Sequence, residues 1–211
     1  MINNVGLLGR INVLFEWIMN LVYVNILWIV FTILGLGIFG IMPSTAAMFH
    51  VTRKWVMGER DFQIFPLFWE KYKCEFVQMQ ALGLIFGTVG FLLLFNYHFF
   101  SEQNIIFGKF SMLGLMLLYS VSILFLFPIY VHFDMKLLSY IKSTFIIGIS
   151  HILQGLVIVS GCAFIFVVCS FFSATFFFLF GSLSALWTTY IAYNWGFLRD
   201  RGTGPSSPII G

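Results

Sequence analysis

Apolar and polar positions alternate in long blocks along this chain, with five apolar stretches near residues 17–42, 79–101, 105–133, 144–170 and 173–196 separated by short polar segments. Each stretch is long enough to cross a hydrocarbon core of about 30 Å as an α-helix. The last two come from a single run, Ser143 to Trp195, that contains no Lys, Arg, Asp or Glu. A run of that length has to turn back on itself, and "SFFSAT" (170–175) is the predicted turn. Lys109 lies near the start of the third stretch, where its stem can snorkel, and Pro128, toward the other end, is expected to kink that helix. The pattern specifies an all-α polytopic membrane protein with five transmembrane helices. It forms one domain over residues 1–200, and the polar tail 201–211 is expected to be flexible.

The segment between the first two stretches, 43–78, reads differently. Pro43 lacks an N–H and disfavours helix at Met42, so the first span is expected to end or kink there. Ser44 or Thr45 can cap a new helix, on which Met48, Val51 and Trp55 form an apolar stripe while Arg53 and Lys54 face headgroups or water. Gly58 is the expected stop. A second amphipathic segment follows, with Phe65, Phe68, Trp69, Tyr72 and Phe76 at helical spacing and Glu70, Lys71 and Lys73 off the stripe. Both elements are expected to lie on the inner leaflet as an elbow. Pro43, Ser44, Thr45, Arg53, Lys54 and Trp55 then serve either as an interfacial anchor or as a docking surface for a partner.

Composition narrows the class further. Hydrophobic residues make up 60% of the 211 and charged residues 9%, against about a quarter charged in a soluble domain. The surrounding solvent has to be lipid, and the bilayer is the first expected partner. A net charge of +3 without a basic stripe excludes nucleic acid as a partner. Cys74, Cys162 and Cys169 lack CxxC spacing and read as reduced packing thiols. The uncharged run from Trp17 to Met42 exceeds a signal-peptide core, so a retained anchor is expected. Of eleven Lys and Arg residues, Arg53, Lys54, Arg60, Lys71, Lys73, Lys136, Lys142, Arg199 and Arg201 share one face of a five-span threading. Only Arg10 and Lys109 fall opposite, which predicts an outside N-terminus and a cytoplasmic C-terminus in the cell membrane.

Polar groups buried in lipid are costly without partners, so they are the main candidates for function. Asn25, Trp28, Thr32 and Gly35 fall on one face of the first span, with Glu16, Asn20 and Tyr23 on a second stripe. The first face is either hydrogen-bonded helix glue or a cleft for a solute or lipid headgroup. His151 and Gln154 lie one turn apart on the fourth stretch, where packing is the simpler role. Gly83 and Gly87 form a GxxxG and Gly181 with Ala185 repeats that spacing, marking close helix packing within a chain or in a homo-oligomer. The four histidines are scattered, and no Walker A loop, GxSxG or dinucleotide fingerprint is present. No metal, cofactor or catalytic residue is therefore expected, and the protein is expected not to be an enzyme.

The stretch "EWIMNLVYVNILWIVFTILGLGIFGIMPSTAAMFHVTRKWVMGERD" (16–61) resembles the YesL family of bacterial integral membrane proteins, a domain of unknown function. Matching positions are Trp17 and Ile18, Asn25 and Trp28, Phe31 and Thr32, Leu34 and Gly35, Phe39 and Gly40, Pro43 to Thr45, Arg53 to Trp55, and Gly58 with Glu59. Ser44 departs from the usual Ala. The resemblance covers roughly the first 75 residues and implies a multi-span protein often encoded beside carbohydrate importers. It brings no activity with it. A non-enzymatic accessory or regulatory partner of carbohydrate ABC importer permease subunits is the leading expectation. The alternative is a stand-alone transporter or channel for a small polar solute.

Overall fold

The computed structural model describes the backbone of residues 7–103, 105–171 and 173–194, and every regular element among them is helical. Seven helices follow in order: α1 (Leu7–Leu34), α2 (Ile38–Val56), α3 (Ile64–Glu102), α4 (Ile106–His132), α5 (Leu137–Ser150), α6 (Ile152–Phe171) and α7 (Ser173–Asn194). Four helical stretches among the described residues, Ile11–Leu34, Ile64–Glu102, Ile106–His132 and Ile152–Phe171, are long and apolar enough to cross a bilayer. The chain is thus an all-helical, multi-pass membrane protein, but the five apolar stretches do not map onto five helices. The tail 201–211, with Arg199 and Arg201, lies outside the described residues.

The first stretch is two helices. α1 stops at Leu34, and the chain reverses through Leu36 (φ 59°) and Gly37 (φ 75°) before α2 begins. Left-handed backbone is easily adopted by glycine, so the reversal falls where "GLG" allows it. The arms then touch backbone to backbone. A Cβ on Gly35 would strike Gly40 Cα, and one on Gly40 would strike the Thr32 carbonyl. Further along, Trp28 meets Thr45, and Trp17 meets Trp55 edge to face with ring centroids 5.6 Å apart. α1 and α2 are therefore an antiparallel hairpin whose open end brings Trp17 beside Trp55.

Pro43 does not break the chain. It sits buried inside α2, where its missing N–H leaves the Phe39 carbonyl without its usual helical donor. Gln80 Nε2 of α3 supplies that hydrogen bond. The expected interfacial helix is in fact central: Ala46, Ala47, Val51 and Thr52 are fully buried, and α2 packs against α1, α3, α4 and α7. Small side chains make this close packing available.

α3 is likewise continuous, with no elbow between its aromatic start and its apolar body. Its stripe covers protein instead of headgroups. Phe65, Phe68, Trp69 and Tyr72 surround Phe31 of α1 with ring centroids 5.0 to 6.4 Å away, and Tyr72 donates to the Phe31 carbonyl at 3.2 Å. Phe65 and Trp69 keep an exposed side. α3 and α4 run antiparallel, joined by Tyr119 to the Phe86 carbonyl (2.7 Å) and Tyr130 to Gln78 Oε1 (3.2 Å). The fourth stretch divides at Ser150 and His151 into α5 and α6. α6 and α7 pair antiparallel, with Phe166 near Phe180 and Trp187 donating to the Val157 carbonyl at 3.4 Å.

The open end of the α1–α2 hairpin also receives the start of α3 and the ends of α4 and α7. Arg53, His132, Thr189 and Tyr193 meet there around a small void of about 10 Å³. The arrangement differs from the expected threading, which set the start of α1 opposite Arg53 and Lys54. Here Arg60 lies over the Trp17 ring, 5.1 Å from its centroid. The hairpin returns the chain to the end from which α1 set out.

Gln80→Leu should lower the unfolding midpoint in detergent, by the equivalent of about 1 to 2 kcal/mol, because the Phe39 carbonyl loses its donor. In a Pro43→Ala background, residue 43 supplies its own N–H, and the same change should cost markedly less.

Candidate functional site

Most polar groups proposed for the bilayer interior hold helices together. Asn25 of α1 is buried, and its Oδ1 accepts the Ser182 backbone N–H of α7 at 3.2 Å. Gly181 makes room for it, since a Cβ there would lie 2.5 Å from that oxygen, and Ala185 one turn on is also buried. Trp28 Nε1 donates to Thr45 Oγ1 at 3.0 Å, and that hydroxyl donates on to the Ile41 carbonyl at 2.7 Å. Thr52 of α2 and Thr189 of α7 share a hydrogen bond of 3.1 Å. Thr32 Oγ1 and Ser44 Oγ are buried without a partner. The face from Asn25 to Gly35 thus joins α1 to α2 and α7, while Glu16, Asn20 and Tyr23 are exposed. Of the glycine pairs, Gly83 packs on Met42, whereas Gly87 has no neighbour within 4 Å of where its Cβ would be.

The polar chemistry collects instead at the gathered end of the bundle, in a cavity of about 480 Å³. α2 contributes His50, Arg53 and Lys54; α3 contributes Lys71, Glu75 and Gln78. The end of α4, the following loop and α5 close the far side with Tyr130, His132, Asp134 and Tyr140. One carboxylate organises the near wall: Glu75 Oε1 lies 2.8 Å from His50 Nε2 and 3.5 Å from Lys71 Nζ. Lys54 turns outward to Glu59 at 2.9 Å and lies over the Phe62 ring. Tyr140 fixes the loop, donating to the Phe133 carbonyl at 2.6 Å and accepting the Met135 N–H at 3.0 Å. Burial pushes the Tyr140 hydroxyl above its ordinary pKa. Nearby Asp134 and Glu75 push the same way, and the Met135 bond opposes them, so the loop stays clasped by a neutral phenol.

Several groups here are incompletely satisfied. Arg53 Nε, His132 Nδ1 and Glu75 Oε2 are buried without hydrogen-bond partners, and Arg53 makes no ion pair within 4 Å among the described residues. The adjoining void is about the size of one water molecule and is bordered by Arg53 and His132. Of the expected elbow residues, Arg53 and Lys54 do line this site. Pro43, Ser44 and Thr45 instead belong to the α2 packing surface, and Trp55 packs on Trp17. The sequence reading missed His50, Glu75, Gln78, Tyr130, His132 and Tyr140 as a set. Their shared signal was a place near the polar ends of apolar segments, but four separate elements bring them together.

The described residues therefore form an all-helical membrane bundle with a charged cavity at one end and hydrogen-bonded packing within. Residues 21–97 match a family described as "Protein of unknown function, DUF624". Three proteins of Bacillus subtilis (strain 168) are similar to this chain: uncharacterized protein YesV is 39% identical over 71% of the chain and 74% of its own length. Uncharacterized protein YteU is 35% identical over 70% of the chain and 67% of its own length, and uncharacterized protein YesL is 32% identical over 84% and 85%. The chain belongs to this DUF624, YesL-like family. No solved structure matches it.

Glu75→Ala should destabilise the fold by about 1 to 3 kcal/mol, since it strips the shared acceptor from two groups at a mostly buried position. Lys54→Ala removes an exposed, screened ion pair and should shift stability by no more than about 0.5 kcal/mol. Thermal unfolding of both variants in one detergent makes the comparison.

Proposed function

We propose that this protein is a non-enzymatic accessory component of the bacterial cell membrane, presenting the charged end of its bundle to another membrane assembly. The observation that carries this reading is the contrast between the interior and that end. Inside the apolar layer Asn25 accepts the Ser182 N–H and Trp28 donates to Thr45, which favours packing over a solute path. At the gathered end, Arg53, His132 and Glu75 keep unsatisfied groups beside an accessible cavity. A carbohydrate ABC importer permease is the proposed partner, on the strength of the family resemblance in residues 16–61. A photo-crosslinker at position 70 or 73, on the exposed side of the start of α3, should then capture importer permease subunits in native membranes. Recovery of the protein alone, under conditions where the importer is expressed, would count against this partner.

Orientation is proposed on separate grounds. With α1 and α2 antiparallel, the start of α1 joins the end that carries Arg53, Lys54, Arg60, Lys71 and Lys73, and Arg10 no longer falls on the minority side. Among the described residues Lys109 alone remains opposite, and by the positive-inside rule this favours a cytoplasmic gathered end. In a variant with Cys74, Cys162 and Cys169 changed to Ser, an impermeant maleimide added to intact cells should label Gln103→Cys but neither Asn12→Cys nor Arg60→Cys. Labelling at position 12 with protection at 60 would restore the opposite orientation for α1.

A further inference from the structure

The geometry points to the cavity at the gathered end as a binding site for a phosphate-class anion, engaged by Arg53 and Lys71. This site rests on the cavity alone and stands whether or not an importer is the partner.

The lining groups differ in how fully they are engaged. Glu75 Oε1 already serves His50 and Lys71, Tyr130 donates to Gln78, and Tyr140 is committed to the loop backbone. Lys54 is neutralised by Glu59 outside the cavity. What remains is donor capacity from the Arg53 guanidinium, which has no ion pair within 4 Å among the described residues, the further N–H groups of Lys71 and the Gln78 amide N–H groups, with Glu75 Oε2 beside them as an unsatisfied acceptor for a ligand hydroxyl. An arginine fork with no carboxylate within 4 Å among the described residues, set near a lysine, is the donor geometry that tetrahedral oxyanions accept. Asp134 on the opposite rim is exposed and offers an acceptor for a hydroxyl carried next to such an anion. The room available, about 480 Å³, exceeds a bare phosphate and suits a phosphorylated polyol.

Two sources share this chemistry. One is the headgroup of an anionic phospholipid, reaching in from the adjacent leaflet; the other is a free phosphorylated polyol from the aqueous side. Both can be presented to the full-length protein in maltoside micelles, the first as phosphatidylglycerol with phosphatidylcholine as control, the second as glycerol phosphate. The expected result is a rise in the unfolding midpoint with phosphatidylglycerol, glycerol phosphate or both, and none with phosphatidylcholine. Which of the two acts identifies the source.

Lys71→Gln should weaken the apparent affinity by about tenfold. Lys73→Gln makes the same change of charge on an exposed lysine that lies over the Trp69 ring, and should leave the affinity nearly unchanged. Arg53→Lys keeps the charge without the fork, and should weaken binding while the protein still folds. Equal losses in the Lys71 and Lys73 variants would reduce the effect to general surface attraction and overturn the site. Absence of stabilisation by either phosphate compound would do the same.

Discussion

A polar group inside a lipid-filled layer has no water to fall back on, and that constraint governs how α1, α2, α3 and α7 meet. The α1–α2 hairpin is its clearest result. Pro43 deprives one carbonyl of its helical donor, and the chain answers with a glutamine from a different helix instead of a break. Asn25 and Trp28 follow the same logic, each finding its acceptor or donor on a neighbouring helix. Gly35 and Gly40 let the two arms approach closely enough for such bonds to form. Polar side chains that look functional along the sequence are therefore largely the means of assembly.

Much of the architecture was legible in the amino-acid order. The membrane class followed from the apolar blocks, and the reversal between α6 and α7 lies within the predicted segment. Of the expected face, Asn25 meets α7, Trp28 and Gly35 meet α2, and the Thr32 hydroxyl is left without a partner. What local reasoning mistook was Pro43, since the compensating Gln80 is distant in the chain. The turn at Gly37 carried a signal of its own in "GLG", overshadowed by the proline. The aromatic stripe of α3 has the periodicity of an interfacial helix, and only Phe31, from a different helix, shows that it faces protein. The cavity was the least legible feature, since its lining comes from α2, α3, α4 and α5, and no segment contains enough of it to be recognised.

The gathered end gives the positive residues a common explanation. Arg53, Lys54 and Lys71 are spread over two helices, yet the hairpin and the start of α3 place them around one opening. Their mutual repulsion is relieved by Glu59 and Glu75, one outside the opening and one within. Basic residues from two separate helices thus line one polar cavity.

The unbroken course of α3 has a mechanical consequence. Its 39 residues extend roughly 58 Å, about twice the thickness of a hydrocarbon core. A helix of that length acts as a stiff rod, with its charged stretch, Glu70 to Glu75, held at the gathered end where Glu75 meets His50 of α2. A sideways push on that stretch would be transmitted as tilt toward the far end near Glu102, because the helix runs unbroken between them.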